Sequence, residues 1–308
     1  MKRVLLSALL LILLVPAAAA QAEPVQEFNV QLKDVKADGR YTIVFTANSF
    51  DTSGEPPPLL TSNVVRFAAG VTIRKEFLRR EYQCDVRGLR DALLATQESG
   101  WFFKRLDKLD ATYKRVKDRM TPESRKITET CIRSQVGAGS VVVDARTVGL
   151  PDPLPAKLYL YLEKPQAKGA VASLGIFAVL DESRESVRSL GSLSTLKLVF
   201  STEFYAEASA DGVYGYKLVL PTGGGLRISV AELKVTTPGV TRVKVKKTCL
   251  TRRKGRCVKS RTMSEKLFWI TQPTCPASGQ VAFRSDYGYE TGLLTEKLIQ
   301  VPCPRFQP

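Results

Sequence analysis

Apolar and polar residues alternate along most of this chain, and the alternation predicts β-strands. Leu158, Leu160 and Leu162 fall on one side of such a segment, and Tyr159 and Tyr161 fall on the other. Glycine, proline and aspartate, which favour turns, separate further segments of this kind. We therefore expect a mainly β protein whose short antiparallel strands form a sandwich or a jelly-roll-like fold. The other strand candidates are residues 28–36, 40–48, 62–67, 70–74, 140–144, 171–180, 196–204, 214–220, 226–235, 242–248, 266–271, 280–285 and 294–301.

The pattern changes to a helical period near residues 75–135, which we call the helical insertion. Asp85 and Thr121 stand where helix caps are expected, and Pro122 follows Thr121 as a first helical residue would. Between them apolar residues recur at steps of four and three, which predicts an amphipathic helix with an apolar seam. The seam either packs on the neighbouring helices or forms a dimer contact. Its residues are Phe102, Leu106, Leu109, Tyr113, Val116 and Met120.

The first 22 residues resemble a secretory signal peptide. Lys2 and Arg3 precede an apolar run, and small residues follow it, so we expect cleavage before Glu23, with a cut after Ala20 nearly as good, and export of the remaining chain. We divide that chain into an N-terminal β segment that carries the helical insertion, residues 23–150, and a C-terminal β region, residues 151–308. No clear linker separates the two, so whether they share one core stays open.

Six cysteines support this assignment to an oxidising compartment, because an even number in an exported chain indicates disulfides. Neighbourhood along the sequence favours three short-range pairs among the fifteen connectivities that six cysteines allow. The first pair would close the helical insertion at its base. The favoured pairs are Cys84 with Cys131, Cys249 with Cys257, and Cys275 with Cys303.

The chain contains no histidine, which excludes Ser-His-Asp and Cys-His catalysis and histidine-based zinc sites. Several carboxylates remain as candidates for hydrolysis, but none has a diagnostic spacing. We therefore expect no enzymatic activity, no catalytic residue, no metal and no cofactor, and we rank an extracellular glycan hydrolase last. The carboxylates considered are Asp181, Glu182, Glu185, Glu203 and Glu207.

Positive charge is concentrated in one segment. The whole chain has a formal net charge of +16, and residues 242–266 contain eleven lysines and arginines against the single acid Glu265. Cys249 and Cys257 lie inside this segment, and Gly255 is the natural turn residue between them. We predict a disulfide-stapled basic hairpin, with Arg242, Lys244 and Lys246 on one strand face. Its candidate ligand-binding residues are Lys244, Lys246, Arg252, Arg253, Lys254, Arg256, Lys259 and Arg261.

Two interpretations of the basic hairpin compete. Lysines on exposed strands prevent aggregation between sheets, and a disulfide protects a long hairpin from fraying. Alternatively, the cations bind anionic polymers of the cell envelope or the extracellular space. Nucleic acid is disfavoured as a partner because the chain enters the secretory route and the hairpin lacks aromatic residues for base stacking. A structural role, with self-association through the apolar seam, is the alternative function.

The C-terminal stretch "KLFWITQPTCPASGQVAFRSDYGYE", followed by "LIQVPCPRF", carries an aromatic strand, CPASG, YGYE and a terminal CP in that order. In this it resembles a group of uncharacterised secreted bacterial proteins. The resemblance implies secretion, β structure and a Cys275–Cys303 link, and it carries over no activity and no site. We expect Trp269, Tyr287 and Tyr289 to be core residues rather than ligand platforms.

Overall fold

The structure, a computed structural model, describes residues 24–35, 41–51, 58–96, 109–144, 154–181, 183–190, 197–220, 229–237, 241–253, 255–267, 269–271 and 275–303. Several predicted features therefore lie outside the described residues. These are the signal peptide, the turn at 36–39, Phe102, Leu106, Glu182 and Lys254.

Fifteen strands and four α-helices are found in the described residues. The strands are β1 (Pro24–Lys33), β2 (Thr42–Asp51), β3 (Leu60–Ala68), β4 (Thr72–Ile73), β5 (Gln135–Asp144), β6 (Leu154–Glu163), β7 (Ala170–Leu180), β8 (Lys197–Ala206), β9 (Tyr214–Leu220), β10 (Ser229–Thr237), β11 (Thr241–Arg253), β12 (Arg256–Leu267), β13 (Ile270–Thr271), β14 (Gln280–Tyr289) and β15 (Leu294–Pro302). The α-helices are α1 (Val86–Leu94), α2 (Leu109–Val116), α3 (Pro122–Ser134) and α4 (Glu185–Arg188). Short 3₁₀ turns cover Lys75–Leu78, Arg80–Tyr82 and Lys117–Arg119.

Eleven strands form one antiparallel sheet, in the order β1-β2-β10-β5-β6-β7-β8-β9-β3-β14-β15. The predicted class, mainly antiparallel β with a helical insertion, is confirmed. The strands do not divide into the two facing sheets that a sandwich has. Instead the single sheet curls until its edge strands β1 and β15 lie side by side, so that it is nearly closed. Twist accumulated over this many strands allows a single sheet to enclose its own core.

The inner face of the curled sheet holds the larger apolar cluster, which takes residues from both ends of the chain. Aromatic side chains fill much of it. The ring of Phe67 packs edge-on against Phe283 at 5.9 Å between centroids and lies 5.5 Å from Phe204, while Phe45 meets both Phe67 and Phe283 edge-on. Leu158, Leu160 and Leu162 of β6 also point into this cluster.

The helical insertion covers the opposite face of β6 and β7. Tyr159 and Tyr161 of β6 contact a second apolar cluster, to which α1, α2 and α3 contribute. The alternation predicted along β6, with leucines on one face and tyrosines on the other, is thus confirmed. Both helix caps are also confirmed, because the side chains of Asp85 and Thr121 accept hydrogen bonds from the backbone N–H groups of Gly88 and Ser124.

The described part of the apolar seam is buried within its own chain. Leu109, Tyr113, Val116 and Met120 belong to the second cluster, and Leu109 and Val116 are only 2% and 1% exposed. They pack against the same sheet face as α1 and α3. This matches the first interpretation of the seam, packing on neighbouring helices, and leaves these four residues unable to meet a partner without unfolding.

A buried carboxylate fastens the insertion to the sheet. Glu163, at the end of β6, accepts hydrogen bonds from the backbone N–H of Val86 at 3.1 Å and from the hydroxyl of Ser201 at 2.8 Å. Val86 begins α1, so Glu163 satisfies one of the N–H groups that the first helical turn leaves without a partner. Burial raises the pKa of Glu163 above its usual value, and these two hydrogen bonds oppose the rise.

All six cysteines are paired, in the three pairs that sequence neighbourhood favours: Cys84–Cys131, Cys249–Cys257 and Cys275–Cys303. The Cys84–Cys131 bond joins the start of the insertion to α3 and is buried. The Cys275–Cys303 bond ties the end of β15 to the segment that precedes β14. There the N–H of Cys303 also donates to the carbonyl oxygen of Gly279 at 2.9 Å.

Candidate functional site

The basic hairpin forms a sheet of its own. Strands β11 and β12, of 13 and 12 residues, pair only with each other within the described residues. At about 3.4 Å per residue the ribbon is roughly 40 Å long. One of its strands, β11, passes beside α3. The segment therefore extends from the enclosed sheet as an appended two-stranded ribbon.

The root of the ribbon is anchored in the main core. Trp269, two residues after β12, is fully buried, and its ring packs edge-on against Phe204 at 5.2 Å between centroids. The carbonyl oxygen of Trp269 accepts a hydrogen bond from the N–H of Arg74 at 2.9 Å, and Ile270 pairs with Ile73. These contacts fix the end of β12, whereas among the residues that the structure describes the rest of the ribbon has no ladder to the enclosed sheet.

The far end of the ribbon, residues 249–259, is called the tip here. Arg253 pairs with Arg256 across the turn, and Gly255 has a φ of 75°, a left-handed conformation that glycine adopts at little cost. The predicted turn at Gly255 is thus confirmed. The Cys249–Cys257 disulfide crosses the two strands just behind this turn. The tip is therefore held by a turn, a ladder and a covalent bond.

The register places several cations directly opposite each other. Arg242 pairs with Lys266 near the root, and Arg253 pairs with Arg256 at the turn. Like charges in directly opposed positions destabilise an antiparallel ladder. The ladder partners of the other described candidate residues are Ser264 for Lys244, Met263 for Lys246, Cys257 for Arg252, Thr251 for Lys259 and Thr248 for Arg261.

The ribbon is not the regular ladder that simple alternation predicts. The register shifts between Lys244 and Lys246, and again on either side of Thr251. A shift of this kind leaves an extra residue outside the pairing and increases the local twist. The expectation that Arg242, Lys244 and Lys246 form one evenly spaced face therefore needs correction, because the extra residue Val245 interrupts the alternation between the last two.

The sequence patterns did not predict the exposure of two apolar residues of the tip. Leu250 and Val258 are 55% and 63% exposed, and Thr251, Arg256 and Cys257 beside them are exposed as well. The alternation of polar and apolar residues assigns each residue to one face of a regular strand. It does not reveal whether another layer of the protein covers that face. Only the structure shows that both aliphatic side chains meet solvent.

A second charged feature, which the sequence patterns did not predict, lies on the outer face of the enclosed sheet. Arg66 on β3 donates to Asp286 on β14 and to Glu207 after β8, both at 3.0 Å. Glu207 also pairs with Lys217, and Arg284 pairs with Asp286 at 2.7 Å. Hydrogen bonds from Lys217 and Arg66 hold the pKa of Glu207 below its usual value. Arg284 also lies 3.6 Å from Glu296, so three cations face three carboxylates, and this network links strands without offering excess charge to a ligand.

Of the four described carboxylates considered for hydrolysis, Asp181, Glu203 and Glu207 have polar partners. Asp181 lies 3.5 Å from the ammonium of Lys157. Burial alone would raise the pKa of Asp181, but hydrogen bonds from Ser183 and the charge of Lys157 bring it below its usual value. Glu203 accepts a hydrogen bond from the backbone N–H of Gln166, and Glu185 begins the short helix α4.

The aromatic residues of the C-terminal signature lie in the core, as predicted. Trp269 is fully buried, and Tyr287 and Tyr289 are each 3% exposed. Burial raises the pKa of Tyr287 to about 12. None of the three is available as a stacking platform at the surface.

Within the described ranges, no group of three or more histidine, cysteine, aspartate or glutamate residues is arranged to hold a metal ion. Likewise, no helix in the part of the chain that the structure describes is long and apolar enough to cross a membrane. Comparisons of the chain with protein-family models, curated proteins and solved structures found no match.

Proposed function

We propose that this is a secreted, non-enzymatic binding protein, and that its basic hairpin binds anionic polymers of the cell envelope or the extracellular space. One observation carries the proposal. The segment with a net charge of +10 is a separate, disulfide-stapled ribbon, and Leu250, Thr251 and residues 255–258 of its tip are exposed. Three disulfides also support formation in an oxidising compartment.

The energetics of the ribbon support a role in binding. Directly opposed like charges such as Arg253 and Arg256 destabilise the free ladder, and a polyanion that lies across them removes this repulsion. The disulfide and the turn at Gly255 hold the strands together in the absence of a ligand. Because the tip is ordered before it binds, less conformational entropy is lost on association.

Chromatography on immobilised heparin, a sulfated polyanion, tests the proposal. The variant carries Arg252→Ser, Arg253→Ser, Lys254→Ser and Arg256→Ser. At about 0.5 kcal/mol for each cation, the usual size of a surface ion pair, it should lose about 2 kcal/mol, or about 30-fold in affinity, and elute at lower salt. Purified anionic envelope polymers are then tested in the same way.

A matched control separates the site from total charge. It removes four exposed lysines outside the hairpin by serine substitution, so its net charge equals that of the first variant. The control positions are Lys117, Lys126, Lys168 and Lys297. We expect the control to remain close to wild type. Equal losses in the two variants, or unchanged retention of the hairpin variant, would refute the proposal and favour a protective role for the cations.

The alternative function, self-association through the apolar seam, gains no support from the geometry. Leu109 and Val116 are buried inside their own chain, so Leu109→Lys with Val116→Lys would disrupt the fold rather than a dimer. Sedimentation of the wild-type protein over a range of concentrations tests this alternative directly, without a variant.

A further inference from the structure

The tip of the basic hairpin carries exposed aliphatic side chains that binding to a polyanion leaves unexplained. Leu250 and Val258 are both more than half exposed. Cations on a ribbon with exposed edges keep it in solution and prevent pairing with other sheets. Large exposed aliphatic residues instead promote association with other surfaces. A hydrophilic polymer would leave these two side chains in water. They are better explained by a partner that offers hydrocarbon as well as negative charge.

The bulges of the ribbon bring the two residues close together. The pairs Cys249–Ser260, Thr251–Lys259 and Arg252–Cys257 follow each other along the ladder, so Leu250 and Val258 are the two residues that the register skips. They flank the single pair Thr251–Lys259 on opposite strands. Each also directly follows one cysteine of the tip disulfide. The register thus places the two residues one ladder step apart on opposite strands, next to the staple.

Cations surround this pair along the chain and across the ladder. Arg252 and Arg253 follow Leu250 within three residues, Arg256 and Lys259 flank Val258, and Arg256 is itself exposed. Aliphatic side chains that enter the boundary of a bilayer, with lysines and arginines at the level of the headgroups, are the usual arrangement of interfacial membrane segments. A polybasic segment close to the surface adds attraction to anionic lipids.

We infer that the tip of the basic hairpin docks on the surface of an anionic lipid bilayer, with Leu250 and Val258 entering the headgroup region and the neighbouring cations contacting lipid phosphates. The electrostatic half of this inference rests on the proposed function. The apolar half is new and belongs to Leu250 and Val258 alone. Docking of this kind requires no membrane-spanning helix.

Co-sedimentation with lipid vesicles tests the inference on the full-length protein. Vesicles of phosphatidylcholine with about 30% phosphatidylglycerol are compared with phosphatidylcholine alone. Wild type should bind the anionic vesicles and retain part of its binding at about 0.5 M salt, where exposed charges are screened. Leu250→Ser with Val258→Ser should bind the anionic vesicles about 30-fold more weakly, yet keep wild-type retention on heparin.

The chain offers a matched apolar control. Leu294 and Leu298 on β15 are 80% and 54% exposed, outside the hairpin. Leu294→Ser with Leu298→Ser should bind vesicles as wild type does. Far-UV circular dichroism and the mass of the non-reduced protein confirm in each variant that the fold and the disulfides persist.

Each failure identifies a different error. If wild type binds heparin but no vesicles, or if Leu250→Ser with Val258→Ser binds vesicles as wild type does, the membrane inference is wrong and the polymer proposal stands. If that variant loses heparin retention as well, the two residues only maintain the shape of the tip and the inference also falls. If the four-cation hairpin variant keeps full heparin retention, the proposed function itself is wrong.

Discussion

The disulfide of the basic hairpin provides the sharpest test of how this segment is built. The perturbation is Cys249→Ser with Cys257→Ser, which removes a bond between residues eight positions apart. Both positions are partly or fully exposed, so serine is accommodated without burying a new polar group. The variant changes only the covalent closure of the tip and leaves all cations in place.

The size of the effect follows from the loop that the bond closes. In the loop-entropy description a separation of eight residues corresponds to about 2.5 kcal/mol, or about 70-fold in an opening equilibrium. The effect should be local. Leu250 and Val258 are exposed, and in the part of the chain that the structure describes the ribbon has no ladder to the enclosed sheet, so opening of the tip exposes little apolar surface of the core.

Amide hydrogen exchange followed by mass spectrometry resolves the local effect. Peptides that cover residues 248–261 should lose protection by up to about 70-fold, while peptides from β6 and β7 keep wild-type protection. Heparin affinity should fall as well, because the open tip must be ordered on binding. The control is wild type under identical non-reducing conditions.

Two results would contradict this reasoning. Equal loss of protection in the tip and in β6–β7 would mean that the bond stabilises the whole fold. Unchanged protection in the tip would mean that the ladder and the turn at Gly255 hold the strands without the bond. In the second case the disulfide has no part in preparing the tip for binding.

Three further predictions concern the body of the protein. The buried disulfide of the helical insertion joins residues 47 positions apart. Cys84→Ala with Cys131→Ala should therefore lower the free energy of unfolding by about 4 kcal/mol and the Tm by about 10 °C in thermal unfolding. An unchanged Tm would contradict this. Burial raises the pKa of Glu163 in the folded protein. The stability that the protonated side chain contributes to the wild type is therefore fully present below the usual glutamate pKa, and it is lost as the pH rises through the raised pKa. Glu163→Gln should therefore show a smaller loss of stability as the pH rises above about 4 in urea unfolding, and an identical pH dependence would refute this. Gly139→Ala would place a Cβ 2.1 Å from a backbone oxygen of β10 and should lower the free energy of unfolding by about 3 kcal/mol. At Gly215 the nearest atom to an added Cβ is 3.4 Å away, so Gly215→Ala should be tolerated. Equal stability of the two variants would contradict the close approach at Gly139.

Much of the local structure could be predicted from the sequence because its causes are local. Asp85 and Thr121 cap helices through groups three residues away, and the alternation along β6 separates leucines from tyrosines within a few positions. The disulfides follow neighbourhood because nearby cysteines meet with little loss of entropy. The turn at Gly255 follows from the conformational freedom of glycine.

The candidate site could be predicted only in part. Its charge and staple are visible in the sequence, whereas the bulges at Val245, Leu250 and Val258 are not, because register depends on contacts along the whole ribbon. Nor does any pattern in the sequence indicate that Leu250 and Val258 are exposed. An aliphatic residue in a strand is ordinarily covered by a neighbouring layer, and no local pattern reveals that the layer is missing.

The sequence by itself determined most of the strand segments, the starts of the two capped helices, the favoured cysteine pairs and the place where positive charge collects, since each of these follows from groups close together in the chain. Only the tertiary structure decided that β10 enters between β2 and β5, that β3 lies between β9 and β14, and that one nearly closed sheet replaces two facing ones. It also brought Arg66 to partners 141 and 220 residues away. Alternation assigns a side chain to a face of a strand, but the identity of the neighbouring strand depends on how all faces are buried together.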